Sequence, residues 1–127
     1  MTRSLLAFDT DQITAYVFGT SRLKEIRGAS ALLDRLNREA MVALIEEIDP
    51  EAQCVYANGG AGLFVLSTGT LAQSALQAVR RLYREETHTA SISGAIVELP
   101  EDPPDWKRAL DLVRYRLRAG KDRQTGA

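Results

Sequence analysis

The stretch Asn58-Gly59-Gly60-Ala61-Gly62 constrains this chain more than any other. Cys54-Val55-Tyr56-Ala57 precedes it and Leu63-Phe64-Val65-Leu66 follows it. Both flanks are apolar runs of strand length, so they predict two buried strands joined by a tight hairpin. The glycines let the main chain take positive φ and let another group approach the backbone closely. The plain structural account is that they stand where the turn demands them. A further apolar run, Leu5-Leu6-Ala7-Phe8, predicts a buried strand that ends in Asp9-Thr10-Asp11.

Between and after these strands the apolar spacing turns helical. Ile13 and Val17 lie one turn apart and predict a short helix before Gly19-Thr20-Ser21. Ser30 can cap a second helix carrying Leu33, Leu36, Ala40, Ala43 and Leu44, which Asp49-Pro50 ends. After the hairpin, Thr70 can cap a helix with Leu71, Ala75, Ala78, Val79 and Leu82 on its inner face. Ser91–Leu99 reads as a fourth strand, with Gly94 a weak point or a place of close approach. Past Pro100, Pro103 and Pro104, a last helix carries Trp106, Leu110, Val113 and Leu117 in register, with Trp106 expected to anchor it. The order β, α, β-hairpin, α, β, α predicts an α+β fold. Its sheet is four-stranded and mainly antiparallel, with the helices on one face.

The bulk numbers narrow the class. At 127 residues, 1–127 reads as a single domain able to bury a core without staples. Apolar residues at 45% and charged residues at 26% exclude a disordered chain. With 16 basic residues against 17 acidic ones, no polycation advertises nucleic-acid binding. Cys54, the only cysteine, rules out an internal disulfide, reads as a core residue and suits a reducing cytoplasm. No run reaches membrane-spanning length and no signal peptide opens the chain, so no membrane partner is expected. The basic stretch from Arg114 to Arg123 runs into Gln124-Thr125-Gly126-Ala127 without a closing strand, as in a piece of a longer protein.

Chemistry concentrates at two loops. Nucleotidyl transfer by two metal ions needs carboxylates from two places. Asp9 and Asp11 share a face if the strand continues; if a helix starts there, they bracket a turn whose free N–H groups can hold phosphate. An Asp-x-Asp after a strand also serves simply as turn and helix cap. Arg22, Lys24 and Arg27 can reach phosphates or an RNA backbone, or form a solvated face with Glu25. Arg114 and Arg118 share a helix face that Arg116 leaves. His88 has no acid or cysteine at ligand spacing and is no metal ligand.

Three segments, Phe8-Asp9-Thr10-Asp11-Gln12-Ile13, Arg22-Leu23-Lys24-Glu25-Ile26-Arg27-Gly28-Ala29-Ser30-Ala31-Leu32-Leu33 and Tyr56-Ala57-Asn58-Gly59-Gly60, together resemble a known family. It is the palm domain of the polymerase/cyclase-like large subunit of type III CRISPR effector complexes. The chain also resembles the minimal CRISPR polymerases and, more distantly, GGDEF cyclases. The likeness spans about residues 5–100 in order and spacing.

The resemblance implies a ferredoxin-like palm that binds ATP. Active members join ATP into cyclic or linear oligoadenylates, and carry Gly-Gly-Asp-Asp or Gly-Gly-Asp-Glu at the hairpin. Here Ala61 and Gly62 stand in place of those acids, while Asp9 matches the first metal-binding acid. Thr14 and Ala15 stand where GGDEF cyclases usually have a lysine. By the same resemblance Asp9, Thr10, Asp11, Gln12, Asn58, Gly59, Gly60, Ala61 and Lys121 are nucleotide-binding candidates. Asp9 and Asp11 are candidates for Mg²⁺ or Mn²⁺. The implied partners are a nucleotide and a second palm, from a homodimer or another domain, with RNA only through a larger complex. Three functions remain open: a degenerate nucleotide-binding palm, a cyclase with a metal ligand supplied elsewhere, and an interaction module.

Overall fold

The computed structural model describes residues 2–11, 35, 39–58, 61–87 and 91–124. It contains β1 (Arg3–Asp11), α1 (Met41–Ile48), β2 (Gln53–Asn58), β3 (Ala61–Leu66), α2 (Gly69–Thr87), β4 (Ser91–Leu99) and α3 (Trp106–Gln124). The expected helix at Ile13 and Val17, the Ser30 cap and the Arg22–Ser30 segment lie outside the described residues. So do Gln12, Gly59, Gly60 and His88.

The strands form one antiparallel sheet in the order β2-β3-β1-β4. This is the order of the ferredoxin-like β-α-β-β-α-β arrangement, and the α+β class expected from the sequence is the one found. The helices, however, divide over both faces. Alternate residues of β1 point to opposite sides, and both sets are apolar and buried. Leu6 and Phe8 join Phe64, Ile92, Met41 and Ile45 of α1, and Ala72, Leu76, Val79 and Tyr83 of α2. Leu5 and Ala7 join Leu63, Val65, Ala95 and Val97 beneath Ala109 and Val113 of α3. Helices on one face would have left Leu5, Val65 and Val97 in water, so α3 takes the second face.

Local details depart from the sequence reading where tertiary contacts decide. On α1 the buried residues are Met41 and Ile45, whereas Ala43 is exposed. The cap of α2 is Thr68, not Thr70: its Oγ1 accepts from Leu71 N at 3.1 Å and its carbonyl from Ala72 N at 3.1 Å. α3 begins at an Asp105 cap, whose carboxylate accepts from Arg108 N at 3.2 Å. Trp106, at the helix start, is exposed and belongs to neither core cluster; Ala109 and Val113 hold the helix down.

Strand β2 also departs from expectation. It lies at the sheet edge with Gln53, Cys54, Val55 and Tyr56 all exposed, so only β3 of the hairpin is buried. Cys54 is therefore no core residue. The partial burial it retains pushes its thiol pKa up, and the Glu46 carboxylate adds to that. A register shift between Cys54 and Tyr56 bulges this edge.

Candidate functional site

The carboxyl end of β1, the hairpin ends of β2 and β3 and the start of β4 meet at one end of the sheet. There the ladders set Asn58, Ala61, Asp9 and Ser93 in one row across the four strands. The adjoining row toward the core is Ala57, Gly62, Phe8 and Gly94. Beyond Asp9, Thr10 pairs with Ile92 and Asp11 with Ser91, so β1 continues as strand through the acidic pair. Asp11 does not start a helix.

The backbone thus brings Asp9, Thr10, Asp11, Asn58 and Ala61 together. Asp9 and Ala61 are half-buried, and Ser93 beside Asp9 is buried. By strand parity this row belongs to the face that α3 covers. α3 runs back along β4: Arg116 Nη1 donates to the Ile96 carbonyl at 2.6 Å. Lys121 lies further along α3 in the direction of this end of the sheet. The side chains of Thr10, Asp11, Asn58 and Lys121 lie outside the described residues. Arg114 and Arg118 are exposed on α3.

Below the Asp9 row the packing is close. Phe8 is paired with Gly62 on one side and Gly94 on the other, and meets Phe64 edge-to-face at 6.3 Å between ring centroids. A Cβ on Gly62 would stand 2.8 Å from Met41 Sδ and 3.1 Å from Phe64 Cε1. A Cβ on Gly94 would stand only 2.2 Å from Leu76 Cδ1. Both glycines are bare so that helices can lie against the sheet. Close approach at Gly94 was legible in the sequence, but the body that approaches is α2, not a ligand.

Among the described residues, the hairpin strand sets no second carboxylate opposite Asp9. Asp9 faces Ala61, which has no donor, and Met41 closes the side-chain space of Gly62. No group of three or more potential metal-binding side chains occurs among the described residues. Ser93 is the residue of the row that the sequence reading did not single out. Its signal was the alternation Ser91-Ile92-Ser93-Gly94, which sets Ser93 in register with Asp9 and Ser91 with Asp11.

No protein-family model matches the chain, and no curated protein matches it. Solved structures do. The Csm1–Csm4 cassette in complex with cA4 matches with a TM-score of 0.85 at 20% identity over 96% of this chain and 20% of that one. The cassette in complex with one ATP matches at 0.84 and 21% identity, over 96% and 19%. The Csm1–Csm4 subcomplex in the type III-A CRISPR-Csm interference complex matches at 0.84 and 21%, over 96% and 19%. The chain therefore has the palm-like fold present in these structures and spans about a fifth of the length of the chains it matches. No helix among the described residues is long and apolar enough to cross a membrane.

Proposed function

We propose that this chain is a palm of the type III CRISPR polymerase/cyclase kind that holds a nucleotide without transferring it. The observation that carries this reading is the pairing of Asp9 with Ala61 beside a closed Gly62. One acid of the active pattern is kept, the partner strand offers none, and the second hairpin position has no room for one. The nucleotide complexes of the matched fold support ATP or an oligoadenylate as that ligand. The same complexes, in which the matched chain is about five times longer and stands in a Csm1–Csm4 assembly, support a role beside another subunit.

The test is a thermal-shift titration with ATP, with and without Mg²⁺ or Mn²⁺, run alongside an assay for pyrophosphate. Binding to the folded state alone raises its stability with the logarithm of ligand concentration. The expected result is a rising midpoint and no pyrophosphate. Pyrophosphate release that Asp9→Asn abolishes would overturn the proposal in favour of an active cyclase. A flat titration with metal present would favour an interaction module instead.

A further inference from the structure

The opposite end of the sheet carries a second feature, independent of the Asp9 row. Ser4 sits on the core side of β1, between Leu66 and Glu98 in the ladders, where its strand neighbours of the same parity are Leu6 and Phe8. It is 0% exposed, and its Oγ is a buried polar atom with no hydrogen-bond partner among the described residues. A buried hydroxyl left unpaired is costly, so native chains rarely keep one without a use.

Above Ser4 lies the amino terminus of α2. A Cβ on Gly69 would be 3.5 Å from Ser4 Oγ, an ordinary contact distance, so the hydroxyl lies beside the first turn. Thr68 satisfies the N–H of Leu71 and of Ala72. The N–H groups of Gly69 and Thr70 stand ahead of any intrahelical acceptor. No acid occupies the first turn of this 19-residue helix, so its positive end is unneutralised from within. Ser4, Thr68, Gly69, Thr70 and Glu98 line an open surface cavity of about 770 Å³ here. The buried acid Asp49 is not among the residues that line it, and its carboxylate already accepts from Glu51 N, Ser67 N and Ser67 Oγ.

We propose that this cavity is a phosphate-binding site, in which Ser4 Oγ and the Gly69 and Thr70 amides hold the phosphate oxygens. An oxyanion at a helix amino terminus takes up both the free N–H groups and the dipole. Ser4 gains the partner that it lacks. Glu98, exposed on the rim, sets the limit on charge: it disfavours a full dianion and suits a phosphate that presents a hydroxyl beside it. Ser4 and Asp9 are about 17 Å apart along β1, so this is not the hairpin end of the sheet.

Amide chemical shifts read the site directly. Inorganic phosphate titrated into the ¹⁵N-labelled chain, against chloride at equal ionic strength, is expected to move the Gly69 and Thr70 resonances saturably. Ser4→Ala is expected to weaken binding about tenfold, as loss of a hydrogen bond to a charged group does, with no fall in melting temperature. Glu98→Gln is expected to tighten it. AMP as a second probe separates the sources: tighter binding than inorganic phosphate assigns the site to a nucleotide, and equal binding assigns it to the free ion. Unmoved Gly69 and Thr70 resonances with both probes, or full affinity in Ser4→Ala, would overturn the proposal.

Discussion

Asp9 stands directly opposite Ala61 in the antiparallel ladder of β1 and β3. A carboxylate is thereby held at the hairpin end of the sheet with a methyl group, not a second carboxylate, across the ladder. The pairing is a property of register, in which Leu5 to Phe8 stand opposite Val65 to Gly62 and Asp9 follows opposite Ala61.

Ala61→Asp tests what this register permits. Two carboxylates directly opposite repel, so the variant is expected to lose about 0.5–1 kcal/mol without divalent cation. Added Mn²⁺ is expected to return that loss and more, because the paired acids would then share a cation. Chemical denaturation with and without Mn²⁺ measures both quantities. An Ala61→Asp protein indifferent to Mn²⁺ would show that Asp9 is not positioned to share a ligand.

Gly62 behaves differently because its obstacle is the core. Gly62→Ala puts a Cβ against Met41 Sδ, the end of a flexible side chain, and against the ring of Phe64. Overpacking of this kind costs about 1–3 kcal/mol. Met41→Ala alone also destabilises, by opening a cavity. The double variant is expected to be more stable than the two single losses add up to, since each relieves the other. Additivity in denaturant melts would place the strain elsewhere. A side chain at position 62 therefore calls for change in α1 as well as in the hairpin.

Much of this was legible in the chain and some was not. Ser91–Leu99 could be read to the residue because a long β-rich run lies between polar stretches. The exposed β2 was read as buried because Cys54-Val55-Tyr56-Ala57 is as apolar as Leu63-Phe64-Val65-Leu66. Edge or centre is decided by strand order, and strand order is not local. The same limit hid the second helical face: Leu5 and Leu6 are both buried, and a continuous apolar run says only that both sides are covered, not by what. Asp9 was legible as a candidate, whereas its partner Ser93 and the closure of Gly62 depend on which strands become neighbours.

Asp49 is another residue whose role only the fold explains. It is 2% exposed, and its carboxylate accepts from Glu51 N at 3.1 Å, Ser67 N at 2.7 Å and Ser67 Oγ at 2.9 Å. It ties the end of α1 to the turn between β3 and α2. Asp49→Ala would leave buried donors without acceptors, and is expected to cost about 2–4 kcal/mol. Asp49→Asn, which keeps an acceptor oxygen, is expected to cost less. Equal losses from the two variants in urea melts would mean that the clamp acts through charge alone.

Tyr83 gives the fold a dependence on alkaline pH. The ring is 0% exposed in the core between α2 and the sheet, and burial holds its phenol above the usual tyrosine range. The unfolded chain releases this proton near the ordinary value of 10.0. The native state therefore keeps a proton that the unfolded state has lost, so stability falls as pH rises above that value. The slope approaches about 1.4 kcal/mol per pH unit for a single group. Below it, both states are protonated and the residue contributes no pH dependence. Tyr83→Phe removes the titration while keeping the ring. Its denaturation midpoint is expected to decline less steeply than that of the parent chain above pH 10. The Cys54 thiol, also raised, titrates in both proteins and cancels in the difference. Parallel declines in the two proteins would assign the alkaline loss to groups other than Tyr83.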